Sequence, residues 1–368
     1  MLDELRACTP AMVDALARLV GIESPSNDPA GIAACAKELA VLGRELLGTE
    51  PDWLERGGRP HLRWSFGDET RIVLIGHFDT VWPTGTLERW PFAVDAGRAS
   101  GPGVFDMKAG IVQGLFALSV LDDLDGVTFL VNSDEEIGSI TSRNLIEDTA
   151  IGASAALVLE PSADGALKTG RKGVSIYEVE VEGRAAHAGL EPEKGANAVI
   201  EIAHQVLAME AVARPVAGTT VTPTLLAAGT TANTVPANAI LSVDVRALLT
   251  EEQARVDREM RALVPVVPGT AVHVRGGPNR PPMAEAMADD LYRLALDLAD
   301  DLGIGSIGKV TVGGGSDGNF TAGVGVPTLD GLGAVGDHAH GEGEYVEVAA
   351  MPERAALVAA LLLSKSVH

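Results

Sequence analysis

Residues 71–80 read Arg71-Ile72-Val73-Leu74-Ile75-Gly76-His77-Phe78-Asp79-Thr80. The run 71–76 is short, apolar and rich in β-branched residues, which fits a strand covered on both faces within a parallel sheet. It delivers a histidine at its carboxyl end, the edge along which open α/β sheets form their sites. The same arrangement recurs twice. Val127 to Val131 reads as a buried strand leading to Asp134-Glu135-Glu136, and Ala155 to Leu159 as another leading to Glu160-Pro161. Asp106, after Gly101-Pro102-Gly103, and His340 add two further residues of metal-binding type. Two histidines and three carboxylates suffice for two zinc ions when one carboxylate bridges them, and Glu135 is then left over as a free base. The inventory is that of a two-metal amide hydrolase.

Helical periodicity covers 10–20 and 28–47, with Ser24-Pro25-Ser26-Asn27-Asp28 as the break and helix start between them. Residues 60–65 read as a further strand and Met107 to Leu121 as a helix. The character changes near Gly170. From Val174 to Glu182, the residues Ser175, Tyr177, Val179 and Val181 alternate with Ile176, Glu178, Glu180 and Glu182, as in a half-exposed antiparallel strand. A helix at 195–211, strands at 221–227 and 238–246, a helix at 250–264 and a strand at 270–275 follow. That β-α-β-β-α-β order resembles a ferredoxin-like sandwich. Gly276-Gly277-Pro278 marks the return, and helices at 286–302 and 348–364 complete the chain. The expected fold is α/β: a mostly parallel catalytic sheet from residues 1–169 and 277–368, interrupted by an α+β insertion at 170–276.

At 368 residues the chain exceeds the usual single-domain size, which favours two domains. Its formal charge is 28 − 51 = −23. Such a surface repels nucleic acid and anionic membranes, so neither is an expected partner. An anionic substrate must be met by local arginines, since the global field opposes it. Cys8 and Cys35 are the only cysteines, too few for a disulfide framework. Met1-Leu2-Asp3-Glu4-Leu5 carries no basic n-region, and no apolar run approaches the ~20 residues of a membrane span. A cytoplasmic location is expected.

His77-Phe78-Asp79-Thr80-Val81, Gly101-Pro102-Gly103 with Asp106-Met107-Lys108, and Asp134-Glu135-Glu136-Ile137-Gly138-Ser139 occur in this order. Glu160-Pro161, Ala186-His187-Ala188-Gly189 and a late histidine before Glu344-Tyr345-Val346 follow. In these motifs the chain resembles the dinuclear zinc metallopeptidases that include glutamate carboxypeptidase (carboxypeptidase G), acetylornithine deacetylase and succinyl-diaminopimelate desuccinylase. Trp90-Pro91-Phe92 and Gly173 look most like the carboxypeptidase G branch. The resemblance implies two Zn2+ per chain, with Co2+ or Mn2+ as substitutes, bridged by Asp106. His77 and Glu160 would complete one site, Glu136 and His340 the other. His338 competes with His340 for the second site, and spacing to Tyr345 favours His340. The resemblance also implies a cis peptide at Asp106-Met107, donation by His187 to the oxyanion from the lid of a partner subunit, and a segment 170–276 that serves as lid and homodimer interface.

Asp79, two residues from His77 and on the same side of an extended segment, would orient the imidazole. Glu135 would take a proton from the attacking water and deliver it to the leaving nitrogen. Arg246, Arg280, Asn233 and Gly314-Gly315-Ser316 are candidates for holding a substrate carboxylate; for the loop, the resemblance implies an anion nest of backbone amides bordering that carboxylate. A strand salt bridge for Arg246 and a loop charge for Arg280 are the competing readings. His61, His204, His273 and His368 read as structural or exposed. Gly313-Gly314-Gly315-Ser316-Asp317-Gly318 also satisfies the dinucleotide fingerprint, which would make the chain an oxidoreductase. That fingerprint needs a long crossover helix, and only Asn319 to Val324 precede Pro327. The expected reaction is hydrolysis of the amide of an N-acyl amino acid or a C-terminal amino acid. Deacylation of the acetylornithine or succinyl-diaminopimelate type is the alternative.

Overall fold

The computed structural model describes residues 1–213 and 218–364, so His368 lies outside the described residues. Two compact units separate. Met1–Gly170, Ala284–Val312 and the chain from Ser316 onward form the first, and Arg171–Met283 with Gly313–Gly315 the second.

The first unit is built on a six-stranded sheet in the order Asp52–Arg56, Arg59–Phe66, Val127–Asn132, Ile72–His77, Ala155–Val158, Thr328–Leu329. The last four strands are mutually parallel, and the first two pair antiparallel. Every residue of Ile72–His77, Val127–Asn132 and Ala155–Val158 is buried. Coverage on both faces is why these segments are near-continuous apolar runs. Because they are parallel, their carboxyl ends at His77, Asn132 and Val158 share one edge.

Helix Pro29–Leu47 starts on Asp28, whose carboxylate accepts the Ala30 N–H at 3.0 Å, and stops at Gly48 in the left-handed region, φ 72°. Helices Ala109–Ser119 and Met351–Leu363 are buried nearly all round, as helices within a core must be. A Cβ on Gly110 would lie 2.1 Å from the Leu159 carbonyl. Only glycine lets the helix that follows Asp106 approach the strand end that carries Glu160. A small antiparallel sheet, Gly336–Asp337, Tyr345–Glu347, Arg98–Ser100 and Ala93–Asp95, places Tyr345 opposite Ser100. It ties the His340 hairpin to the segment leading into Asp106.

In the second unit, Ala271–Arg280, Gly173–Glu182, Asn238–Ala247 and Thr220–Ala228 form an antiparallel sheet in that order. Tyr177, Val179, Val181, Leu241, Val243 and Val245 pack with Ile202 and Met209 of helix Ala198–Val212 and Val256 and Met260 of helix Thr250–Arg261. Ile176, Glu178 and Glu182 stay exposed on the other face. Strand Ala271–Arg280 does not stop at 275. It continues through Gly276-Gly277-Pro278, with a register shift between Pro278 and Arg280. Among the described residues no helix is long and apolar enough to cross a membrane.

Candidate metal centre and catalytic site

His77 closes the central strand and is fully buried. Its Nδ1 lies 3.0 Å from the Asp79 carbonyl oxygen and 3.4 Å from Asp79 Oδ1. Both atoms only accept, so Nδ1 carries a proton and Nε2 is left to face whatever cation the centre holds. Nε2 meets Asp106 Oδ1 at 3.2 Å and Glu160 Oε1 at 3.5 Å. The other oxygen of Asp106 lies 3.4 Å from His340 Nε2, which is also 3.2 Å from Glu136 Oε2. Asp106 therefore presents one oxygen to each histidine, the disposition a bridging carboxylate needs. His77, Glu135 and Glu160 offer ligand atoms within 4.8 Å of one another, as do His77, Asp106 and Glu136. Glu135 thus sits as close to the cluster as the expected ligands do, and distance alone does not separate base from ligand.

One buried carboxylate organises two of these segments. Asp79 accepts from Ser26 Oγ at 2.7 Å, from the Glu135 N–H at 3.1 Å and from the Glu136 N–H at 3.2 Å. It therefore holds the His77 ring and the Glu135-Glu136 turn together. That turn ends at Gly138, φ 93°. Asp134 closes it, accepting from Ser142 Oγ at 2.6 Å and from the Thr141 N–H and Oγ1 at 2.6 and 2.8 Å. His61 is buried behind the same loop, its Nδ1 accepting from the Ser133 N–H at 3.3 Å. His204 and His273 are exposed.

The Asp106–Met107 peptide is cis. Both residues have non-helical backbone, so the helix expected from Met107 begins at Ala109. Glu344, fully buried, accepts from the amides of Phe105 (2.7 Å), Asp106 (2.9 Å) and Gly103 (3.1 Å), and from Trp82 Nε1 (2.8 Å). Burial pushes its carboxyl up to about 7 against the pull of those donors. His340 adopts a left-handed backbone, φ 62°, and its side chain is half exposed. His338, exposed, stands with its ring 6.3 Å from that of Tyr345.

Electrostatics identify what the cluster demands. Burial alone would lower His77, but Asp106, Asp79 and Glu160 outweigh it and raise the imidazole well above its usual value. His340, beside Asp106 and Glu136, is raised to about 11. Burial would raise Asp106, yet its bonds to His340 and His77 hold it below the usual carboxylate range. For Glu136 burial wins and the carboxyl is raised. Carboxylates that stabilise cationic imidazoles in this way suit a divalent metal in the protons' place. Among the described residues, Glu136 Oε1 is buried with no hydrogen-bond partner. Such an acceptor costs about 1–3 kcal/mol unless something binds it, and a metal would. The residues present fit zinc.

Other expected residues fall in the second unit. His187 ends the strand Ala186–His187, and its Nδ1 accepts from the Gly189 and Leu190 amides at 3.1 and 3.2 Å. Its proton is therefore on Nε2, set to donate. Asn233 adjoins it, its carbonyl accepting the Ala188 N–H at 2.9 Å. Arg246 Nε and Nη2 each donate to Asp244 at 2.8 Å, so its fork is engaged in a strand salt bridge. Arg280 is buried at a strand end, not a loop charge, and its carbonyl accepts from Gln253 Nε2 at 2.8 Å. The carbonyls of Gly314 and Gly315 accept from buried Arg171 at 3.1 and 3.3 Å.

Ser316 belongs to the first unit and is fully buried, with its amide donating to Asn319 Oδ1 at 2.8 Å and its hydroxyl to Asp330 Oδ2 at 2.6 Å. Its hydroxyl also accepts from the Gly318 amide at 3.1 Å, so both groups shape the loop. The helix after the glycines, Gly318–Gly323, has six residues, and strand Lys309–Val312 lies outside the six-stranded sheet. The dinucleotide pattern therefore lacks its βαβ unit.

Residues 73–364 match Peptidase family M20/M25/M40, and the chain belongs to that family. It is 32% identical over 373 residues to carboxypeptidase G2 of Pseudomonas sp. (strain RS-16), a match covering 96% of this chain and 89% of that protein. A succinyl-diaminopimelate desuccinylase of Sulfurovum sp. (strain NBC37-1) is 29% identical over 216 residues, covering 54% of this chain and 56% of that protein. The fold is shared with an M20 family metallo-carboxypeptidase from Sulfolobus solfataricus, with TM-score 0.76 and 16% identity over 95% of this chain and 98% of that one. The chain is a metallopeptidase of this family, a zinc-dependent peptidase or amidohydrolase.

Proposed function

We propose that the chain is a dizinc amidohydrolase that releases an amino acid with a free α-carboxylate, glutamate foremost, from an N-acyl amino acid or from the carboxyl end of a peptide. The observation that carries this reading is Asp106, with one oxygen 3.2 Å from His77 Nε2 and the other 3.4 Å from His340 Nε2. His77, Asp106 and Glu160 would hold one metal, and Asp106, Glu136 and His340 the other. Bound there, the metals supply Lewis acidity toward a carbonyl oxygen and toward water. Glu135, on a turn fixed by Asp79 and Asp134, takes the proton of the attacking water and returns it to the leaving nitrogen. His187, with Nδ1 committed to two amides, offers its Nε2 proton to the developing oxyanion.

Likeness to carboxypeptidase G2 along 96% of the chain supports the carboxypeptidase reading. The match to a desuccinylase along 54% supports N-deacylation as the second. Arg280, Arg246, Asn233 and the Gly314-Gly315 amides are the donors for the substrate carboxylate, and Arg246 must exchange Asp244 for it. Two copies pair through residues 170–276. In support, Thr220–Ala228 is the outer strand of its sheet and carries exposed Leu225 and Leu226, an edge that invites pairing.

A panel of N-acyl amino acids, their amides and dipeptides, scored by kcat/KM, tests this. N-acyl glutamates and C-terminal glutamate should exceed the corresponding amides at least tenfold. Equal cleavage of acids and amides would remove the carboxylate clamp. Cleavage confined to N-acetylornithine or N-succinyl-diaminopimelate would establish the deacylase reading instead.

A further inference from the structure

We propose that Glu344 is a positioning residue of the metal centre, fixing the two oxygens of Asp106 by holding the backbone that carries them. The inference rests on the ligand set proposed above. Glu344 is fully buried, and four N–H groups converge on its two oxygens. Oε1 takes the amides of Phe105 and Asp106 at 2.7 and 2.9 Å. Oε2 takes the Gly103 amide at 3.1 Å and the Trp82 indole N–H at 2.8 Å. Amides of one irregular loop are thus gathered on one anion, the arrangement by which backbone nests bind phosphates, with the anion here supplied by the chain itself.

The loop needs such an anchor. Asp106 and Met107 have non-helical backbone, and Gly103 is left-handed at φ 72°, so no helix or strand ladder fixes where the Asp106 carboxylate points. Glu344 also lies four residues beyond His340 in the hairpin between Gly336–Asp337 and Tyr345–Glu347. The intervening link is stiffened by Gly341 N–H to the His338 carbonyl at 2.8 Å and Glu344 N–H to the Gly341 carbonyl at 3.1 Å. One side chain therefore joins the segments of two ligands, Asp106 and His340. Metal sites tolerate displacements of only about 0.5 Å in their donors, so loosening this joint should be felt as lost affinity.

A carboxylate is required, not merely an acceptor. Glutamine has the same shape but one oxygen, and it would turn an NH2 toward two of the four donors. Groups that orient metal ligands are typically worth about 10–100-fold in metal affinity. A residue that only supported the fold would cost stability and leave affinity unchanged.

The test uses the full-length chain, stripped of metal and titrated with Zn2+ against a competing chromophoric chelator, with Tm of the metal-free protein measured alongside. Glu344→Gln should weaken at least one of the two sites by about 10–100-fold. Glu344→Asp, which keeps the charge one methylene short, should weaken it less. Wild-type affinity at both sites in both variants would overturn the inference, and so would an effect confined to Tm. If Glu344→Gln does not fold, Glu344→Asp decides by the same two readings. A wild-type chain that takes up no zinc would overturn the ligand assignment, and this inference with it.

Discussion

Asp79→Asn isolates the part of the site that is neither ligand nor base. The carboxylate is fully buried, with Oδ1 accepting the Glu135 amide at 3.1 Å and Oδ2 accepting Ser26 Oγ at 2.7 Å and the Glu136 amide at 3.2 Å. Asparagine matches the shape but offers a single oxygen. With its NH2 on the Oδ2 side, the Ser26 hydroxyl can rotate to accept, but the Glu136 N–H faces another N–H. With the NH2 on the Oδ1 side, the Glu135 N–H is the one stranded. Either way one buried amide of the catalytic turn is orphaned, at about 1–3 kcal/mol, and the surviving bonds lose charge assistance. At about 1.4 kcal/mol per tenfold, kcat should fall roughly 10–100-fold. KM should change little, since no substrate contact is removed. Steady-state kinetics on the best substrate of the panel, with zinc content and a thermal melt of the same preparation, measure all three consequences. A variant with kcat within twofold of wild type would refute the claim that Asp79 sets the turn.

Glu135→Gln should lower kcat by about 10²–10⁴-fold with zinc content near wild type, whereas Glu136→Gln should lose metal from the His340 side. If Glu135→Gln is the variant that loses zinc, the two roles are exchanged. In the metal-free protein His77 is raised well above its usual value and His340 to about 11, so both hold protons near neutrality that a metal must expel. Zinc affinity should therefore fall as pH falls, and calorimetry near pH 7 in buffers of differing ionisation enthalpy should detect proton release; none would contradict the ligand roles. By the same sign, the His340 contribution to metal-free stability is full below about 6.5 and is lost as pH rises through about 11. If His187 acts across a dimer, His187→Ala and Glu135→Gln homodimers should each be nearly inactive, and mixed dimers should regain activity. No recovery despite demonstrated subunit exchange would place His187 outside the partner's site.

The sheet and its edge were legible because burial on both faces leaves unmistakable apolar runs, each ending in a residue of metal-binding type. Strand Asp52–Arg56 was not, since no residue of it is fully buried and nothing in its pattern marks an inner face. Leu167–Arg171 was hidden for the opposite reason: Lys168, Thr169 and Arg171 are polar, yet the strand is almost wholly enclosed. Glu344 and Arg171 bind backbone atoms, and a side chain aimed at distant amides or carbonyls has no partner whose sequence spacing could reveal it. The Asp244–Arg246 pair was readable in principle. Residues two apart on a strand share a face, so the engaged fork follows from the spacing.

Whether Asp106 bridges two metals, as proposed, is read from metal content. Protein purified without chelator should carry close to two zinc ions per chain by elemental analysis. Asp106→Asn should lose most of both, because the bridge contributes to each site. Zinc near zero in the wild type with activity indifferent to a strong chelator, or two ions retained in Asp106→Asn, would contradict the account.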